Sequence, residues 1–434
     1  MPVQDNIYST ELRDAGRTEV LVVGSGVAGS TAALAAARQG AAVTLLERYG
    51  FMGGTSTQVL DTFYGFYTPG EEPRKVVGGI PDIIVKALQR EGKAFLRPNT
   101  YGAGIGVTYD PERLKILWEQ QALKSGMKLL FHTFVVDVLR EGDRITGVIA
   151  AGKNGLRQFR ADAVIDATGD ADLAAAAGAP CDGVKAGEVQ AMTTTFRLVN
   201  VDMNTALNVP AETLHRLLDE AAQTEKYILP RREGSVHITP IEGVVATNLV
   251  RVSDVDGTDP EQLTRAEIEG RRQALEYVRF LRDFVPGYGH AEMASLSTQI
   301  GIRESRRIRG RYRLTREDVM SARRFDDVIG RCGAPIEVHR NGGKTHWEYL
   351  PEGKAYDIPY RCLLPREVEG LLVAGRCLSA DHDAHASVRN MAQCMAMGQA
   401  AGTAAALAVQ QQTVPGEIEI PDLQDALRSL GGIL

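Results

Sequence analysis

The stretch VLVVGSGVAGSTAALAAARQGAAVTLLE, Val20 to Glu47, carries glycines at the spacing GxGxxG: Gly24, Gly26 and Gly29. Such a spacing suits a dinucleotide. The first glycine permits a tight turn out of a strand, the second lets backbone approach a pyrophosphate, and the third lets a helix pack closely. The N–H groups of that helix's first turn, from Val27 and Ala28 onward, would face the phosphates together with the positive dipole end. Glu47 is placed to accept hydrogen bonds from ribose hydroxyls, and its charge repels a 2′-phosphate, which disfavours NADP. A glycine-rich turn alone is weak support, because ordinary α/β domains contain them. Here a strand precedes it, a helix follows it and the acid stands at the right distance. NAD and FAD both use the motif, so it does not choose between them.

A second group lies in SADHDAHASVRN, where His382, His385 and Arg389 are read as sharing one short loop just before the final helix. Histidine titrates near neutral pH and can take or give a proton. Arginine can anchor a carboxylate or stabilise an oxyanion. These three and Arg303, in GIRESRRIRG, are the candidate catalytic residues. The competing reading makes the histidines structural or solvent-facing. It also puts Arg303, Glu304 and Arg306 into an ion-pair network between domains, the two arginines sharing a helical face at i, i+3. Phe63, Tyr64, Phe66 and Tyr67 in DTFYGFYTPG suit either the apolar wall of a substrate pocket or core packing. His237, His339 and His346 stand apart in sequence and are read as structural. The acidic residues show no metal-ligand pattern, and no metal is expected.

The elements that must position these residues read as alternating strands and helices. TEVLVVG is a buried parallel strand, VAGSTAALAAARQG a helix stopped by Gly40, and AAVTLLE the next strand. DPERLKILWEQQALKSGM is an amphipathic helix with a proline in its first turn. KLLFHTFVVDVLREGDRITGVIAAGKNGLRQFRADAVIDATG reads as successive strands turning at EGD and KNG. From about Gln190 the texture shifts to β-rich segments and longer polar helices. At EGLLVAGRC the strand-then-glycine pattern returns. The expected organisation is therefore α/β. A Rossmann-type domain of parallel sheet and helices comprises 18–189 and 331–412, an inserted α+β substrate domain 190–330, and terminal extensions 1–17 and 413–434.

Composition narrows the function. The net charge of −6 gives no counterion-release drive toward nucleic acid. The five cysteines are scattered, with no CxxC, which removes a disulfide-reductase centre of that type and fits a reducing compartment. No run reaches membrane-spanning length and the polar start has no apolar signal core, so a cytoplasmic location is expected.

Choosing between NAD and FAD depends on the rest of the chain. MGGTS offers bare backbone at Gly53 and Gly54 and hydroxyls at Thr55 and Ser56. AVIDATGD and LLVAGR add two strand-end glycines that an extended FAD would touch and NAD would not need. At these residues, and at LLVAGRCLSADHDAHASVRNMAQCMAMGQAAGTAAALA, the chain resembles the FAD-dependent oxidoreductases of the glutathione-reductase-like flavoprotein superfamily, relatives of the fumarate reductase and succinate dehydrogenase flavoproteins. The resemblance runs from about 18 to 410. It implies that Gly24, Gly26 and Gly29 face the pyrophosphate and that Glu47, with Arg48 beside it, holds the ribose. Gly53, Gly54 and Thr55 would run toward the flavin, and Val136 would meet the adenine. Thr168 and Gly169 would close that side, and Gly375 and Arg376 would approach the phosphate and ribityl portion. Asn390 and Met391, at a helix N-terminus, would point at the isoalloxazine. The HGANRLGGN segment of fumarate reductases is absent, HDAHASVRNMA standing in that region, which weakens dicarboxylate chemistry.

The expected activity is oxidation of a small organic substrate by hydride transfer to FAD. The electron acceptor is open among oxygen, a quinone and another redox partner, as is homo-oligomerisation. No second GxGxxG of similar quality indicates an NAD(P)H site. The alternatives are a fumarate-reductase or ketosteroid-dehydrogenase style of reaction at a C–C double bond, and a non-redox dinucleotide-binding biosynthetic enzyme.

Overall fold

The computed structural model describes residues 11–99, 102–183, 187–339 and 344–434. Val20–Val23 is apolar at every position because both faces of its strand are covered. It ends β1 (Leu12–Val23), which turns into α1 (Val27–Arg38) and then β2 (Val43–Leu46), parallel to β1 with Val20 opposite Val43. α2 (Pro111–Ser125), capped by the Asp110 carboxylate, leads to β3 (Lys128–Leu130), parallel to β2. Next comes an antiparallel meander of β4 (Phe134–Glu141), β5 (Arg144–Gly152) and β6 (Gly155–Asp166). Its two turns fall at the EGD and KNG read from the sequence.

The chain then leaves this sheet and builds a second one. β7 (Phe196–Val199), β8 (Ser235–Ile238), β9 (Val245–Asn248) and β10 (Glu292–Leu296) form an antiparallel sheet in the order β8-β9-β7-β10. α3 (Ala211–Gln223) and α4 (Pro260–Phe284) pack with it, Leu218, Tyr277 and Phe280 sharing its core. That core gathers residues from Met192 to Ile300. Leu314, Val319 and Ile329, assigned by sequence to the inserted segment, pack in the first core. So do Leu423 and Leu427 of the expected C-terminal extension.

The return strand β11 (Leu371–Val373) pairs in parallel with the end of β6. α5 (His382–Val388) and α6 (Met391–Gln410) follow. The completed sheet has seven strands, running β3-β2-β1-β6-β5-β4 with β11 beside β6. Alternate residues face opposite ways: Val20, Val22, Leu45 and Ile165 toward the core that holds α1 and α6, Leu21, Val23, Leu46 and Val164 toward another. The α/β architecture with a Rossmann-type βαβ start is thus present.

Two segments depart from the sequence reading. Residues 12–17, expected as a polar tail, extend β1, with Leu12 opposite Leu156 and a bulge between Asp14 and Arg17. Their exposure hid them, since an exposed strand edge shows no apolar run. The Arg303–Arg306 segment is extended rather than helical, because Gly301 bridges to Thr193 and Ile308 pairs with Cys181 on either side of it. Among the described residues no helix is long and apolar enough to cross a membrane.

Candidate functional site

The ends of β1, β2, β6 and β11 converge on one long cleft, which the second sheet's flanking segments close from the other side. Gly24, Gly26, Val27 and Ala28 line it where β1 meets α1. Gly24 has φ +90°, and a Cβ there would stand 2.5 Å from the Ala167 carbonyl oxygen. At Gly26 a Cβ would meet no protein atom closer than 4.0 Å, so the space above it belongs to the cleft. Gly29 lies behind the lining, where a Cβ would come within 1.8 Å of the Gly24 oxygen; it serves the close packing of α1. No side chain caps α1, which leaves its first-turn N–H groups for a ligand.

Glu47, only 5% exposed, reaches the same place. One carboxylate oxygen accepts from the Ser25 N–H and hydroxyl, both at 2.7 Å, and the other from the Tyr49 N–H at 2.9 Å. A carboxylate has about four acceptor positions, so these three bonds orient it and still leave room for a ribose hydroxyl. Arg48 lines the cleft with its guanidinium over the Tyr49 ring, 4.9 Å from the centroid.

Val136 does not take its expected place. It is 47% exposed and off the lining, while Thr133, Phe134 and Val135 form the wall. Side chains alternate along a strand, and β4 presents the neighbouring position. Gly54 and Thr55 line the cleft. Gly53 stands just behind, its N–H donating to the Ser25 oxygen at 2.8 Å.

Thr168, Gly169, Gly375 and Arg376 line the middle. Arg376 straps its two sides together. Its Nε donates to the Gly169 oxygen at 2.9 Å, its Nη2 to Asp170 Oδ1 at 2.6 Å, and its Nη1 to the Ile302 oxygen across the cleft. Asp172 also lines this part; burial and then the neighbouring Asp170 and Asp166 push its carboxyl up to about 6. The far end holds Tyr64, Arg303, Arg389, Asn390 and Met391. α6 begins here with Asn390 as its first flank and no side-chain cap. Cys394 stands one turn on, its thiol pushed up to about 12 by burial and therefore unreactive as a thiolate.

Neither candidate histidine lines the cleft. The segment that carries them is a helix, not a loop: the Asp381 carboxylate accepts from the Ala384 N–H at 2.7 Å and starts α5. This turns His382 outward, where its Nδ1 meets Glu304 Oε1 at 3.0 Å, in a separate depression with Asp381, Asp383 and Arg307. His385 is fully buried, with its Nε2–H on the Arg376 carbonyl at 3.0 Å. Burial and then Arg307 hold its pKa well below the usual histidine value, so it is neutral and positions the strap. Arg306 is an ion-pair residue, bound to Asp172 and to the Asp170 oxygen. The aromatic run divides: Phe63 and Phe66 pack in the core and Tyr64 faces the cleft.

The histidine beside the cleft is His237, read from sequence as structural. His237 on β8 places Nε2 2.8 Å from Asp61 Oδ1. Both line a small cavity that shares Val59, Leu60 and Tyr64 with the cleft. His237 Nδ1 and Asp61 Oδ2 are buried without a hydrogen-bond partner. Burial works to raise the Asp61 pKa, but His237, Arg197 and Arg97 outweigh it and hold the carboxyl below its usual value. The partners are 176 positions apart, so no local spacing could reveal them.

Comparison with known proteins follows this geometry. The model of the family described as FAD dependent oxidoreductase matches residues 19–427. Among solved structures, a geranylgeranyl bacteriochlorophyll reductase-like protein from Thermoplasma acidophilum is 14% identical, covering 95% of this chain and 84% of that one, with TM-score 0.48. A flavin-dependent brominase is 12% identical, covering 95% and 83%, with TM-score 0.47. The myxobacterial chondrochloren halogenase CndH is 14% identical, covering 96% and 79%, with TM-score 0.43.

Proposed function

The chain belongs to the FAD dependent oxidoreductase family, and from that premise we propose that it oxidises a small organic substrate by hydride transfer to FAD lying along the cleft. The observation that carries this reading is the pairing of two uncapped helix N-termini, those of α1 and α6, along one continuous cleft. The first suits a pyrophosphate and the second a negative charge developing on a reduced ring. Bound FAD supplies the two-electron acceptor.

The chain's own residues do the rest. The first-turn amides from Val27 and Ala28, with the backbone of Gly24 and Gly26, hold the pyrophosphate. Glu47 holds the adenosine ribose with Arg48 beside it, and the β4 wall at Val135 meets the adenine. Gly54, Thr55, Thr168 and Gly169 flank the middle, and Gly375 and Arg376 close over it. Kinship with the glutathione-reductase-like superfamily rests on these same motifs.

His237 takes the substrate's O–H or N–H proton as the C–H hydride leaves, with Asp61 orienting its ring and stabilising the imidazolium. Val59, Leu60 and Tyr64 line both cavities, so the pair adjoins the cleft. The test is anaerobic bleaching of the bound flavin by a panel of alcohols, amines and hydroxy acids. His237→Gln is expected to keep its FAD and bleach about 10²–10⁴-fold more slowly. A variant that bleaches at the wild-type rate removes His237 from the mechanism.

A further inference from the structure

We propose that the substrate carries a carboxylate, gripped by Arg303 and Arg389 at the α6 end of the cleft. The inference rests on the oxidoreductase reading and names its substrate class.

Both side chains line the cleft, and both are left short of partners by the protein. A guanidinium has five N–H donors and no acceptor. Arg303 donates through Nη1 to the Ala191 oxygen at 2.6 Å. Arg389 donates through Nη2 to Gln190 Oε1 at 3.0 Å and to the Glu337 backbone oxygen at 3.4 Å. Its Nε is buried with no partner. Among the described residues no carboxylate forms an ion pair within 4.0 Å of either guanidinium. An enclosed cation without a counterion is costly, and an entering anion removes that cost.

The surrounding charges favour an anion. Glu337 is the acid that acts on both arginines, and its carboxylate is engaged by His339 Nε2 at 3.0 Å. Burial works to raise its pKa, but the His339 hydrogen bond, Arg389 and Arg303 outweigh it and hold it at about 2, so it is ionised. His339 is itself neutral, since burial and then Arg303 hold its pKa well below the usual value. Arg231 and Arg251 also act on Arg303, and Arg376 and Glu304 on Arg389, so the pair sits among several cations and suits an anion. The planar fork of arginine also fits a carboxylate bidentately. Tyr64 and Met391 bound the same end and offer an apolar flank to the rest of the substrate.

The holoprotein is titrated with benzoate, with its neutral isostere benzamide and with inorganic phosphate, following perturbation of the flavin spectrum and heat by calorimetry. Benzoate is expected to bind saturably, and benzamide and phosphate at least about tenfold more weakly. Arg303→Gln and Arg389→Gln are each expected to weaken benzoate about 10–100-fold with FAD content kept at wild-type level. Equal binding of benzoate and benzamide, no binding of benzoate, tighter binding of phosphate, or variants that bind benzoate normally would each overturn the proposal. Calorimetry on FAD-free protein separates the two readings. Benzoate bound through Arg303 by a chain that refuses FAD would sink the oxidoreductase reading and leave the anion site standing.

Discussion

Glu47 and Glu304 show how differently two buried carboxylates can be employed. Glu47 is held by three donors where it lines the cleft. Glu47→Gln turns one acceptor into a donor facing those N–H and O–H groups. It is expected to weaken FAD binding about tenfold or more, measured by quenching of flavin fluorescence on titration. Glu304 instead joins His382, Arg307 and the Gln190 N–H away from the cleft. Burial works to raise its pKa, but the His382 hydrogen bond and Arg307 outweigh it and hold it at about 2. A depressed acid contributes stability that is present above its unfolded value, near 4.5, and lost as pH falls toward 2. His382 has the opposite sign. Its pKa is raised by Glu304, so its share is present below about 6.5 and lost as pH rises through the raised value. Glu304→Gln is expected to flatten both limbs of urea stability against pH and to cost on the order of 3 kcal/mol at neutrality. Residues at this scale were the least legible in the sequence. His382 and His385 stood near the right helix, but the Asp381 cap turns one outward and buries the other. His237 and Asp61 meet only through the fold.

At the scale of elements, the sequence was far more readable. Apolar runs ending in glycine became β1, β6 and β11, and the alanine-rich stretches became α1 and α6, because burial on both faces leaves no polar position to blur the pattern. Their composition also sets how they pack. A Cβ on Gly398 would stand 2.1 Å from the Ala28 oxygen, and one on Gly402 2.0 Å from the Ala32 oxygen. The two helices therefore touch backbone to backbone, which sets the first turn of α1 against α6. Gly398→Ala is expected to destabilise by about 1–3 kcal/mol and to weaken FAD binding as well, because Ala28 belongs to both the helix contact and the cleft. Urea unfolding and FAD titration on the same variant check the pair of effects. Elements without an apolar signature were missed: the exposed start of β1, and the extended run through Arg303 that only its bridges to distant segments explain.

At the scale of the whole molecule, the cleft exists because two cores face each other across it. The Rossmann-type sheet supplies the glycine turns and helix ends, and the excursion from Met192 to Ile300 leads into the Arg303 side. Arg376 ties the two together through Gly169, Asp170 and Ile302. A ligand filling the cleft contacts both sides, so FAD at a hundredfold excess over its Kd is expected to raise stability by about 2.7 kcal/mol, read from the urea midpoint. The sequence made the dinucleotide end legible through its spacing, whereas the substrate end is assembled from segments far apart in the chain. His382 and His385 lie off the cleft, so the FAD is expected to be non-covalent. The measurement that tests the central claim most directly is the visible spectrum and FAD content of the purified protein beside Gly26→Val, before and after acid precipitation. The wild type is expected to carry one FAD per chain, released into the supernatant by acid, and the folded variant, its open space above residue 26 filled, to carry none. A wild type that stays colourless with FAD added, or a variant that holds FAD as well as the wild type, would contradict it.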